Sequence, residues 1–239
     1  MRADSELARL WRMGGGMRLA RTFLRGGIER ALSGGTVRVG IMTDLQELHR
    51  RALQVTVDVV NQVSADQFGL PTPCSEWDLG QLLAHMIGQN HGFAAAARGE
   101  KSDEGVFDPR PVVDGDPGAL HEASAEDVAA AFAEDGVLGR GFWLPEIRRE
   151  PPIPGRVAIS FHMVDCVAHG WDVAEAIGVR VDFDEEVLAS ALEISRAVPD
   201  GPNREEPGAS FRPGVKIGEG ASAFEEILGL LGRSADWRQ

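Results

Sequence analysis

The stretch Ser160-Phe161-His162-Met163-Val164-Asp165-Cys166-Val167-Ala168-His169-Gly170-Trp171-Asp172-Val173 decides how the chain is read. His162, Asp165, His169 and Asp172 follow one another at spacings of three, four and three residues. On a helix of 3.6 residues per turn they share a face. Phe161, Met163, Val164, Val167, Ala168 and Trp171 surround them with apolar groups. Imidazoles and carboxylates in such a setting are costly to bury unless something binds them. A divalent metal ion is the reading pursued. Asp165 and His169 lie one turn apart and can converge on a single ion, as acid–histidine pairs do in helix-bundle metal sites. His85, at the edge of an earlier apolar stripe, is the candidate third ligand. Two nitrogens and one carboxylate suit zinc first, with nickel, iron or manganese as alternatives. Three protein ligands leave positions open for water or a substrate atom such as a thiol sulfur. His162 is a fourth ligand, a neighbour of the ligands or a proton carrier. Asp172 either holds a ligand imidazole by its second nitrogen or joins the helix surface. The plainer alternative is a hydrogen-bonded His–Asp pair with no ion at all.

The bulk composition narrows the function classes. A formal net charge of −13 and a pI near 4.9 argue against nucleic acid or an anionic membrane as partner. No apolar run approaches the length of a membrane span. The two cysteines, Cys74 and Cys166, are too few for a disulfide framework, so a cytoplasmic location is expected. Both read as small buried residues rather than nucleophiles. The absence of tyrosine excludes a phenolic acid or nucleophile. There is no GxGxxG after a strand, no P-loop, no HExxH and no GxSxG.

Residues 1–41 stand apart, with eight arginines against three acids and three glycine clusters. They read as a leader, disordered or upstream of the true start. Thr43, with Gln46 three residues on, signals the first helix, whose apolar positions Leu45, Leu48, Ala52, Val55 and Val59 recur at steps of three and four. A second helix starts at Asp78 and stops near Arg98-Gly99. A third is predicted from Ser124, with Asp127 in the capping-box position, to about Leu138, and the prolines at 145–154 predict a rigid connection. The fourth helix carries the polar stripe from Gly155 to Ile177 and stops at Gly178. A fifth spans Asp184 to Ala197, a loop with one short strand covers Val198 to Gly220, and a last helix runs from Ser222 to Leu231. His49, His91 and His121 fall on polar faces or in loops and receive no role. The fold class is mainly α, a four-helix bundle at 42–180 with additional C-terminal helices at 181–239 packed on it.

Thr72-Pro73-Cys74-Ser75-Glu76-Trp77-Asp78, Leu82-Leu83-Ala84-His85 and Asp165-Cys166-Val167-Ala168-His169-Gly170-Trp171-Asp172-Val173-Ala174 resemble paired TPCxxWxxxxLxxH and [DE]xxxHxWDxA motifs. These belong to the actinobacterial family built on the metal-binding domain of mycothiol-dependent maleylpyruvate isomerase. The tail from Ile227 to Arg233 and on to Trp237 is similar to an ending common there. The resemblance implies a DinB-like bundle with a divalent ion on His85, Asp165 and His169. The acid in the isomerase is typically glutamate, and Asp165 is one methylene shorter. The resemblance also implies a small-molecule thiol, mycothiol, as co-substrate and an electrophile as its partner. Isomerase relatives carry a further C-terminal domain at the active site. Only a short helical tail is read here, so a mycothiol-dependent transferase or isomerase-like role is expected rather than maleylpyruvate isomerisation itself. Two other classes stay open: a non-catalytic, stress-related bundle with a structural ion, and a metal-free bundle that binds a partner. Pairing into a homodimer is compatible with all three.

Overall fold

The computed structural model describes residues 45–101, 104–112, 116–145, 147–206 and 209–238, so the leader lies outside the described residues. Helix α1, Leu45–Val60, buries Leu48, His49, Ala52, Leu53, Thr56, Val57, Val59 and Val60. That stripe is wider than the five-residue stripe read from the sequence, because α1 is enclosed by neighbours on more than one side. Helix α2, Leu79–Ala97, begins as predicted. The Asp78 carboxylate accepts from the Gln81 N–H at 2.8 Å, and the Gln81 amide oxygen accepts from the Asp78 N–H at 3.0 Å.

Helix α3 runs Pro117–Phe132, starting about two turns earlier than expected. Asp116 caps it and Pro117 occupies its first turn, where a missing N–H costs nothing. Ser124 is no cap. It lies buried mid-helix, donating to the His121 carbonyl at 2.7 Å and accepting from the Asn90 amide at 2.9 Å. The proline-rich connection is an antiparallel hairpin of β1, Gly141–Leu144, and β2, Arg148–Pro154. A two-stranded ribbon is all edge, so its prolines remove no central ladder bonds.

Helix α4, Gly155–Ile177, follows the hairpin directly and stops at Gly178 as expected. Its entry is tight: the Gly155 N–H donates to the Arg140 carbonyl at 2.7 Å, and a Cβ at Gly155 would lie 2.0 Å from the Val137 carbonyl oxygen. Gly155→Ala must therefore move backbone. We expect a loss of about 1–3 kcal/mol, read as a lowered urea midpoint at unchanged slope.

Helices α1 to α4 form the bundle, with α1 packed along α4 and α2 against α3. Helix α5, Glu185–Arg196, is capped by Asp184 and packs on α1 and α4. Helix α6, Ala223–Leu230, is capped by Ser222 and packs on α5. The loop between them does not hold the expected strand among its described residues. Arg204, fully buried, organises it instead by donating to the carbonyls of Pro199, Arg212, Leu230 and Val198. A guanidinium spends those oxygens, leaving fewer for a strand ladder.

The larger apolar cluster takes α4 residues from Val157 to Ala168, and a smaller one takes Val173, Ala174 and Ala176. His169 to Asp172 fall between the two.

Candidate metal centre

Helix α4 brings Asp165 and His169 one turn apart, and α2 brings His85 against them. One donor atom from each of the three lies within 4.8 Å of the others. His169 Nε2 is 3.3 Å from Asp165 Oδ1, and the His85 and His169 rings meet edge to face with centroids 5.2 Å apart. His85 and His169 are buried, while the Asp165 side chain keeps 29% of its surface in solvent. The cluster is thus walled by protein and reached from the Asp165 side. Trp77 stacks on His85 at 4.4 Å and approaches His169 at 6.1 Å. The same Trp77 lines a cleft of about 530 Å³ shared with Thr72, Glu76, Asp78 and Trp237.

Asp172 is fully buried and does hold His169 by its second nitrogen. His169 Nδ1 lies 2.9 Å from Asp172 Oδ2, which turns Nε2 toward Asp165 and His85. Behind it stands Arg233, which the sequence reading placed in the tail without a role. Its Nε donates to Asp172 Oδ1 at 2.9 Å and its Nη2 to Oδ2 at 2.7 Å. The turn that delivers it passes Gly232, with φ of 78°, where a Cβ would lie 2.5 Å from the Arg212 carbonyl. Arg233 is 61 residues from its partner. The only local signal was a Gly-Arg pair after a helix.

His162 does not join this cluster. Its Nδ1 lies 2.8 Å from His49 Nε2 and 3.5 Å from Cys166 Sγ, facing α1 rather than α2. His49 and His121 are buried, against the expectation of polar faces. Cys166 is buried as expected. Cys74 is half-buried within reach of His169 and Asp172, its thiol pushed up to about 12 chiefly by burial.

Burial dominates the other imidazoles. It lowers His85 to about 3 and His121 and His162 to about 4, and takes His49 well below its usual value. These rings are neutral at pH 7, with a lone pair on one nitrogen. Burial also opposes charge on His169, but Asp165 and Asp172 outweigh it and raise it to about 9. Burial works against the Asp165 carboxylate too, yet His169 and its neighbours draw it well below the usual carboxylate range.

The signs give a pH prediction for ion-free protein. Imidazoles held neutral contribute fully above 6.5 and lose stability as pH falls toward about 4. His169 contributes fully below 6.5 and loses it as pH rises through about 9. Chelated protein should melt highest near pH 6.5, with a steeper acid limb because several rings act there and one acts on the alkaline side. A melting temperature that keeps rising from pH 6.5 to 9 would contradict this.

The sequence profile of the mycothiol maleylpyruvate isomerase N-terminal domain family matches residues 49–174, more than half of the chain. The chain belongs to that family. Two uncharacterised proteins from two strains of Mycobacterium tuberculosis are each 31% identical over 186 residues, covering 78% of this chain and 96% of theirs. Among solved structures, the crystal structure of the mycothiol-dependent maleylpyruvate isomerase matches with a TM-score of 0.53 at 16% identity. The likeness covers 82% of this chain and 90% of that one. At that identity it shows the fold, a DinB-like helical bundle. Coverage of 82% is more than residues 1–177 could supply, so the likeness runs past α4. Among the described residues, no helix is long and apolar enough to cross a membrane.

Proposed function

We propose that this family member is a divalent-metal protein that uses a small-molecule thiol of the mycothiol class in an isomerisation or transfer to an electrophile. The observation that carries the reading is the convergence of His85, Asp165 and His169 within 4.8 Å, with His169 oriented from behind by Asp172. The donor set fits an ion: one neutral imidazole, one imidazole flanked by carboxylates, and one carboxylate open to solvent. Zinc suits it first, then nickel, iron or manganese. Bound there, the ion would stabilise a thiolate and act as a Lewis acid.

The chain's own groups do the rest. Asp172 accepts the His169 Nδ1–H and so presents the Nε2 lone pair to the site. Arg233 fixes Asp172 and balances its charge. Trp77 covers His85 and limits water on that side. The cleft beyond Trp77 is where the body of a thiol co-substrate would lie. Cys74, with its thiol held protonated, is unsuited to nucleophilic work at pH 7.

The test is thiol-dependent turnover. Metal-loaded protein should consume an electrophile, maleylpyruvate included, in the presence of mycothiol and far more slowly with the thiol omitted. Equal rates with and without thiol across a panel of electrophiles would remove the catalytic reading. A structural ion would then remain, shown by a sharp fall in melting temperature on chelation.

A further inference from the structure

Helix α4 carries two donor pairs of i,i+4 spacing, not one. Asp165 and His169 meet His85 of α2, whereas His162 and Cys166 meet His49 of α1. The second trio is more deeply buried: His49 and His162 are 1% exposed and Cys166 is 6% exposed. One donor atom from each lies within 4.8 Å of the others, and both His49 Nε2 and Cys166 Sγ converge on His162 Nδ1. Its walls are aromatic. Phe132 lies 4.7 Å from His49 and 5.6 Å from His162, and Phe93 lies 4.7 Å from His162. Next to it the Thr56 hydroxyl donates to the Cys166 carbonyl at 3.0 Å, fixing α1 against α4.

We propose that His49, His162 and Cys166 form a second, closed metal site selective for a soft monovalent cation, Cu⁺. Two imidazole nitrogens and a thiolate favour copper(I) or zinc over harder ions. Charge decides between these two. Cu⁺ displaces the thiol proton to solvent and forms the copper–sulfur bond, so an ion held by two imidazole lone pairs and one thiolate carries no net charge. Zn²⁺ with the same three ligands would leave a net positive charge among Phe93 and Phe132, which is costly to bury. Zinc would also ask for a fourth ligand, whereas copper(I) accepts three.

Trigonal bonds of about 2.0–2.3 Å place donors about 3.5–3.7 Å apart. The cysteine–histidine gap of 3.5 Å already fits, and the histidine–histidine gap of 2.8 Å must open modestly. The competing state is a hydrogen-bonded trio that never takes an ion, with one N–H shared between His49 Nε2 and His162 Nδ1 and the Cys166 sulfur beside it.

The test is an anaerobic titration of full-length protein with Cu⁺ against a chromophoric copper(I) chelator, the first site being preloaded with zinc. One equivalent per chain is expected to move from the chelator to the protein. Cys166→Ser should weaken that binding at least tenfold while zinc stoichiometry stays the same. Failure to withdraw copper from the chelator, copper binding undiminished in Cys166→Ser, or zinc filling both sites would each overturn the proposal. If Cys166→Ser does not fold, X-ray absorption of copper-loaded wild type decides. One sulfur and two imidazole neighbours support the site, and a sulfur-free shell sinks it. None of these readouts depends on thiol turnover, so this site and the proposed function fail separately.

Discussion

Arg233→Leu is expected to destabilise the ion-free protein by about 3–5 kcal/mol, because it strands the Asp172 carboxylate in the interior with one of its two partners gone. Asp172 is fully buried and Arg233 is 6% exposed, so water cannot replace the lost guanidinium. The pair is close and doubly bonded, through Nε and Nη2, and burial makes each charge depend on the other. For a chain of this size the melting temperature should fall by about 6–20 °C. Most of that penalty comes from the uncompensated charge rather than from lost packing. Asp172→Asn in the Arg233→Leu background should therefore recover much of the loss, since the amide carries no charge. Equal melting temperatures for wild type and Arg233→Leu would mean that Asp172 finds water or another cation. No further stability in the double variant would assign the effect to packing.

This pair also shows where sequence reading stops. Asp165, His169 and Asp172 were legible because a helix repeats locally: three- and four-residue steps put them on one face whatever surrounds it. Helix ends were legible for the same reason. Asp78 with Gln81, Gly178 after Ile177, and Ser222 with Glu225 are contacts of three residues or fewer. The start of α3 was misplaced because Ser124 with Asp127 imitates a cap, while the true one, Asp116, sits in a stretch that reads as loop. Long-range partners left no such trace. Nothing within a few residues of Arg233 says that it reaches Asp172, and nothing near Arg204 says that it gathers four carbonyls. His49 was misread for a related reason. A stripe drawn from Leu45, Leu48, Ala52, Val55 and Val59 leaves it at the margin, and only the enclosure of α1 by several helices widens the buried face to include it. His162 followed from that error. With its true partner placed outside, it could only be offered to the neighbouring cluster.

The same geometry grades the metal-site variants. Elemental analysis of wild-type protein purified with zinc should give one ion at the His85, Asp165 and His169 cluster. His85→Ala and His169→Ala should each lose that ion altogether under dialysis, because two remaining donors do not hold a first-row ion against water. Asp172→Asn should behave differently. It touches no ion, and the amide oxygen can still accept the His169 Nδ1–H, but the carboxylate that raises the ring's basicity is gone. Affinity should fall about 10–100-fold, with the stoichiometry restored by excess zinc. Asp165→Glu reads the remaining variable, side-chain length. The carboxylate of Asp165 approaches His169 Nε2 at 3.3 Å from one turn away, so a glutamate has slack and should bind with affinity near wild type. Zinc retained in His169→Ala would place the ion elsewhere, with Cys74, Asp172 and the buried His49 trio as the remaining donor sets. Zinc lost in Asp172→Asn even at high concentration would make Asp172 a ligand rather than the support of one, and the polar stripe would then hold its ion one turn further along α4.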